Sequence, residues 1–360
     1  MIKKLFIINI GSTSTKVAYC EGTEFILRDT IEHPSDALKK CPAINDQFDL
    51  RRKAILDYMN EHSIDPSELD SFVSRGGQTE PINGGVWQIN DAYVKQTSSG
   101  KYGNHPCNLG SMIALNISKE YGTLPLTVDP PTTDEMEPLA RYSGLKEIPR
   151  VSCLQALNTK AMARYYAEQN GKNFEDVRLI TVMLGGGISV AAIKNGRMID
   201  APNSLEGDGP FSNNRCCTVP AGELVKLCYS GKYDLNGMMR HINGEAGLMS
   251  YLDTTDIREI MDRIENGDKY AEEVMEAMCY QTAKEIGAMG TVLLGNVDAI
   301  LLVGGMANVQ FIVDHISKRV DFIAPVVVIP GEREMDSLAI NSYEALIGKR
   351  EIQQFVPSKG

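Results

Sequence analysis

The chain has no apolar run near the roughly 20 residues that a membrane-spanning helix needs, which excludes such a helix. Its opening, MIKKLFIINIGS, leads into a strand pattern instead of a cleavable signal, so a cytoplasmic protein is expected. Basic residues are in deficit, 36 Lys and Arg against 47 Asp and Glu, and the net charge of −11 argues against nucleic acid or an anionic membrane as main partner. The eight cysteines include no C-x-x-C pair and no zinc spacing, which points to reduced thiols and not to a disulfide framework. Cys216 and Cys217 are adjacent and read as packing residues. Low-complexity segments and long linkers are also missing. What is present is a globular composition, 43% hydrophobic over 360 residues, more than one core usually serves, so two domains are expected.

The most informative stretch is Lys4 to Tyr19, KLFIINIGSTSTKVAY. Leu5 to Ile8 and Val17 to Tyr19 read as strands, and Gly11 to Thr15 as the tight turn between them. Such a turn can offer backbone N–H groups and hydroxyls to a phosphate, with Lys16 adding charge at its end. It is not a Walker A loop, because the second glycine before the lysine is missing and no helix pattern follows. The pattern returns at Ile180 to Ile199, ITVMLGGGISVAAIKNGRMI, with Gly185, Gly186 and Gly187 in the turn. Gly11 to Gly22 and Gly185 to Gly196 both span eleven residues, which suggests an internal duplication and two domains offering glycine turns to a shared cleft.

Other candidates follow from their neighbours. Arg75 stands at the end of a strand from Leu69 to Val73, beside Gly76 and Gly77, and can act as an anion clamp. His105 precedes a helix from Asn108 to Glu120. Asp129 ends the strand Leu124 to Val128 and is stiffened by two prolines, whereas the acidic residues that follow read as solvated. Helices are expected over Leu50 to His62, Leu154 to Asn170, Lys269 to Leu294 and Met335 to Ile347. Leu205 to Thr218 is irregular and carries Arg215, as a site loop does. Gly304 and Gly305 follow a buried-type strand, Ala299 to Val303, and would let a nucleotide approach the backbone.

Asn9 to Lys16, Ser74 to Gly77, Asn104 to Gly110, Asp129 to Pro138, Leu184 to Val190, Gly207 to Arg215, Leu224 to Tyr233 and Phe322 to Ala339 together resemble the butyrate kinases. These belong to the acetate kinase branch, the acetokinase family, of the superfamily that also holds sugar kinases, heat-shock chaperones and actin. The runs DPPTTDEMEPLARYSGL, LVKLCYSGKYD, AKEIGAMG and FIAPVVVIPGE carry the likeness over nearly the whole chain.

The resemblance implies an α/β fold of two duplicated ribonuclease H-like (actin-like ATPase) domains flanking a nucleotide cleft. Their expected extents are 1–149, completed by a C-terminal helix 336–360, and 150–335. It implies reversible phosphorylation of a short-chain carboxylate, butyrate plus ATP giving butyryl phosphate plus ADP, with Mg²⁺. Asn9, Gly11, Ser12, Thr13, Ser14 and Lys16 would form the first phosphate loop, Gly185 to Gly187 the second, and Gly304 and Gly305 the adenosine motif. Arg75, His105 and Arg215 would surround the transferred phosphoryl group, with an apolar pocket for the alkyl chain near Arg75 and His105. Asp129 would serve Mg²⁺, helped by Glu332 or Glu334, and the protein would form a homo-oligomer, dimer or higher. Three positions depart from the pattern. Ile10 replaces a proline, a mild change, whereas Gln155 and Met183 stand where the family has histidines. Those two losses define a second reading, a nucleotide-binding paralogue with weak or no kinase activity that acts as a regulatory or assembly protein.

Overall fold

Lys4–Ile10 is apolar at nearly every position because it lies inside a sheet with a strand on each side. It is strand β1 of the computed structural model, which describes residues 2–41, 43–205 and 207–358. The chain divides into two units, Met1–Thr133 with Arg333–Gly360, and Asp134–Glu332. In the first unit β1 is followed by β2 (Ser14–Glu21), β3 (Glu24–Glu32), β4 (Ser71–Ser74), β5 (Val86–Gln88) and β6 (Leu124–Val128). The second holds β7 (Leu179–Leu184), β8 (Ile188–Lys194), β9 (Arg197–Asp200), β10 (Ala299–Gly304) and β11 (Val326–Pro330). A last strand, β12 (Ile352–Gln354), returns to the first unit and pairs with β5.

The two sheets repeat one topology. Their orders are β12-β5-β6-β4-β1-β2-β3 and β11-β10-β7-β8-β9. Read from the hairpin edge, β3-β2-β1-β4-β6 matches β9-β8-β7-β10-β11, with antiparallel pairs first and parallel pairs after. The eleven-residue echo in the sequence is this repeat. Gly22 and Gly196 hold left-handed φ of 67° and 70° in equivalent hairpins, a conformation that favours glycine.

Helices cover the sheets. In the first unit Phe48–Glu61 and Asn108–Tyr121 send Ile55, Met59, Leu109 and Ile113 into a core with Phe6, Ile8 and Phe72. In the second, Lys269–Val292 packs Met275, Met278 and Ile286 on one sheet face, while Ala156–Gln169 covers the other with Met162 and Ala163. Each such fully buried aliphatic side chain contributes about 1.5–3 kcal/mol. Among the described residues no helix is long and apolar enough to cross a membrane.

Two expectations about the chain's path change. Residues 336–360 are not one helix: Glu334–Leu346 is helical, Gly348 turns with φ 77°, and β12 follows. Residues 134–149 group with the second unit. There the Glu135 carboxylate accepts from Lys160 Nζ at 2.6 Å and from the Met198 N–H at 2.9 Å, and the Glu137 N–H donates to Ile199 O. Asp134 and Glu135 are therefore buried, not solvated, because each has a cationic partner, Arg141 for the former.

Candidate phosphate-binding turns and their surroundings

The turn Gly11–Ser12–Thr13 joins β1 to β2, with Ser12 and Thr13 exposed. The Gly11 N–H donates to Ser14 O at 2.9 Å and the His33 N–H to Thr13 O at 2.9 Å. From below, Arg51 Nη2 donates to Ser12 O at 2.9 Å and Nη1 to Ser14 O at 3.1 Å. Every carbonyl of Ser12, Thr13 and Ser14 thus has a donor. The N–H groups of Ser12 and Thr13 have no hydrogen-bond partner among the described residues. Ser14 and Thr15, expected in the turn, already belong to β2.

Close to this turn, Asn9 is buried and its amide donates to Glu334 Oε2 at 2.8 Å. Arg75 Nη2 reaches the other oxygen of Glu334 at 3.1 Å, so one buried carboxylate joins Asn9, Arg75 and the N-terminus of helix Glu334–Leu346. Glu332, in contrast, is exposed. Lys16 is half-buried on β2. The Arg75 backbone continues the β1 ladder, its N–H donating to Ile8 O. His105 accepts the Cys107 N–H on Nδ1 at 3.2 Å. Asn108, buried at the start of its helix, accepts the Gln78 N–H and donates to Thr97 O and Gly103 O. It fastens the segment after Arg75 to the turn that carries His105. Asp129 is fully buried at the end of β6 with φ 40°, and it exchanges bonds with Gly85: the Gly85 N–H donates to Oδ1 at 2.8 Å, the Asp129 N–H to Gly85 O.

In the second unit Gly185–Gly186–Gly187 joins β7 to β8 in the same three residues. The Gly185 N–H donates to Gly187 O at 3.2 Å, and Ser212 Oγ to Gly186 O at 2.9 Å. The N–H groups of Gly186 and Gly187 have no hydrogen-bond partner among the described residues. Arg215 lies across this turn: a Cβ on Gly187 would fall 2.2 Å from its Nη1. Nη1 donates to Ser204 O at 2.9 Å, and burial pulls the Arg215 pKa below its ordinary value. Gly304, with φ 93°, ends β10 against β7, where a Cβ would sit 2.4 Å from Leu184 O. Gly305 opens a 3₁₀ turn, Gly305–Asn308, ahead of helix Gln310–Val320. The sequence-predicted Gly185–Gly187, Arg215 and Gly304 therefore come together in one unit.

The two departures fall in different settings. Gln155 Oε1 accepts from Ser189 Oγ at 3.1 Å, and Ser189 meets Ser204 Oγ at 2.8 Å, so Gln155 is linked through the buried Ser189 to Ser204, whose carbonyl holds Arg215. Met183 packs with Leu154, Ala156 and Met162, its sulfur accepting weakly from Asn158 Nδ2. The segment after Arg215 also lines a cavity of about 390 Å³ with Phe211, Cys216, Leu224, Leu227, Met238 and Tyr251. Among the described residues no group of three or more His, Cys, Asp or Glu side chains could hold a metal unaided.

Sequence reasoning missed Arg51, His33 and Asn108. A signal existed for Arg51: it shares the i, i+4, i+7, i+8 stripe of Ile55, Tyr58 and Met59, so a charge stood on a buried helix face.

Comparison with known proteins agrees with this architecture. The family model described as Acetokinase family matches residues 158–345. A Clostridium botulinum protein named probable butyrate kinase is 42% identical over 349 residues, covering 97% of this chain and 98% of the relative. Butyrate kinase 1 of Clostridium acetobutylicum is 43% identical over 352 residues, 98% of this chain and 99% of that one. The crystal structure of Porphyromonas gingivalis acetate kinase superposes with a TM-score of 0.76 at 18% identity, covering 96% of this chain and 100% of that one, which shows the shared two-domain, actin-like ATPase fold. The chain belongs to the acetokinase family.

Proposed function

We propose that the protein is an ATP-dependent carboxylate kinase that reversibly converts butyrate and ATP to butyryl phosphate and ADP, with branched four- or five-carbon acids as near alternatives. The observation that carries this reading is the 42 to 43% identity, over almost the whole chain, to proteins named butyrate kinase. The acceptor is already ionised at pH 7, so no strong base is needed, and the task is alignment and neutralisation of charge on the phosphoryl oxygens. Two turns with anchored carbonyls and unpartnered N–H groups suit that task. Asn9, Gly11–Ser14 and Lys16, with Gly185–Gly187, are assigned to phosphates, and Gly304 and Gly305 to adenosine. Arg75, His105 and Arg215 are assigned to the transferred phosphoryl group.

Asp129 fits a hard cation by its carboxylate and its place at a strand end. With no cluster of three side-chain ligands among the described residues, the remaining ligands would be water and phosphate oxygens, as Mg²⁺ prefers. Bound there, Mg²⁺ would neutralise phosphate charge. Glu334 has both oxygens engaged and is assigned to hold Arg75, and Glu332 is assigned to help with the ion on the family resemblance alone. A cytoplasmic homo-oligomer without nucleic acid or membrane partners belongs to the same proposal.

A second reading, a nucleotide-binding protein with weak or no turnover, is favoured by Met183, which is packed in a core cluster where a histidine is expected. A hydroxylamine trap for acyl phosphate separates the two, using ATP, Mg²⁺ and acids from acetate to valerate. Hydroxamate from a four- or five-carbon acid is the expected result. No product across the panel, from folded protein that binds ATP, would replace the kinase reading with the second one.

A further inference from the structure

Arg51 is 0% exposed, and no carboxylate pairs with it among the described residues. An isolated buried guanidinium is costly, and burial accordingly pulls its pKa down. Its donors go to Ser12 O, Ser14 O, Thr15 Oγ1 and Gln47 Oε1, all neutral acceptors and three of them in the 12–15 segment. Thr15 Oγ1 also meets His33 Nε2 at 2.8 Å. Burial, and next the Arg51 charge, hold His33 neutral beneath the turn.

The consequence for the turn follows from peptide geometry. In a trans peptide the C=O and the next N–H point in opposite directions. Pulling Ser12 O down to Arg51 therefore turns the Thr13 N–H outward. The second turn repeats this with a different anchor: Ser212 Oγ holds Gly186 O, which turns the Gly187 N–H outward. Ser12 and Gly186 are the middle residues of equivalent turns between β1 and β2 and between β7 and β8. Only the first turn has a full positive charge as its anchor.

We propose that Arg51 is a positioning residue of the first turn, which orients the Ser12–Thr13 peptide and lends a positive field to it, so that the turn selects the phosphate groups of a nucleotide over its nucleoside. This rests on the phosphate role assigned to that turn above. Arg51 acts through the peptide and touches no ligand itself.

The test is run first on the unaltered protein. Amide exchange at Ser12 and Thr13 should slow on adding ADP and should not change with adenosine. The binding of ADP, AMP and adenosine is then compared in Arg51→Met and in Arg51→Lys, whose single nitrogen cannot span both carbonyls. ADP should bind about 10- to 100-fold more weakly in both, AMP should lose less, and adenosine should be unchanged. A general loss of structure would weaken all three alike. If the unaltered protein binds adenosine but gains nothing from phosphates, the phosphate role of the turn falls. If ADP binds well but leaves Ser12 and Thr13 unprotected, or if the variants keep the ADP-to-adenosine ratio, the role of Arg51 falls while the nucleotide reading stands. Should neither variant fold, the exchange result on the unaltered protein decides.

Discussion

The two turns reach one end by opposite routes. The first carries side chains at Ser12 and Thr13 and keeps its arginine underneath, bonded to carbonyls. The second is bare glycine, and at Gly187 the reason is visible: its arginine lies on the turn itself, in the space a side chain there would fill. The position of the cation decides that position 187 must be glycine. Gly11, in the first, would bring a Cβ no closer than 3.5 Å to Ser14 O, an ordinary contact.

The strongest attempt to break this comparison is Arg215→Ala. Removing a well-aimed donor from a site of developing charge should lower acyl phosphate formation about 100- to 1,000-fold, with circular dichroism and melting close to the unaltered protein. Unchanged turnover would remove Arg215 from the site.

The buried pair beneath the first turn should show itself in stability. Burial, and next the Arg51 charge, lower the His33 pKa from 6.5 to about 4. The unfolded chain therefore binds a proton that the folded chain does not, and the stability this supports is complete above about pH 6.5 and lost as the pH falls toward 4, up to roughly 3 kcal/mol. Urea titrations at pH 7 and pH 4.5 should show a smaller acid loss in His33→Gln. Equal losses would mean that His33 is not held neutral.

A finer contrast lies within the second turn. Gly187→Ala should displace Arg215 and lower turnover by about 100-fold, whereas Gly186→Ala, with nothing of the protein within 4 Å of its Cβ, should leave Arg215 in place and cost less. Similar rates in both would show that Arg215 does not need that space. The smallest effect is expected from Gln155→His with Met183→His, which should raise turnover about tenfold by restoring donors. No gain would show that the chain compensates elsewhere, with the Ser189 and Ser204 link to Gln155 as the first place to look.

Much of the architecture is legible in the amino-acid order alone. The strand and turn pattern at Leu5 to Tyr19 and its eleven-residue echo foretell the repeated sheet topology, because hairpin glycines with positive φ leave a mark in sequence. β5 and β12 leave no such mark, since three residues carry too little alternation to see. The glycines and Arg215 are legible as types in a loop, but their contact, and the Asn9, Arg75 and Glu334 cluster, depend on segments far apart in the chain. The acidic residues after Asp129 look solvated in sequence because Lys160 and Arg141, which allow Glu135 and Asp134 to be buried, come later in the chain. Arg51 is visible on an apolar stripe, yet its meaning comes only from the carbonyls it holds.

The most direct test of the kinase reading is the reverse reaction, followed by phosphorus NMR with butyryl phosphate, ADP, Mg²⁺ and purified protein. The account predicts ATP resonances growing as the acyl phosphate signal falls, and little growth with Arg215→Ala. Protein that binds ADP yet leaves the acyl phosphate to hydrolyse without forming ATP would contradict it.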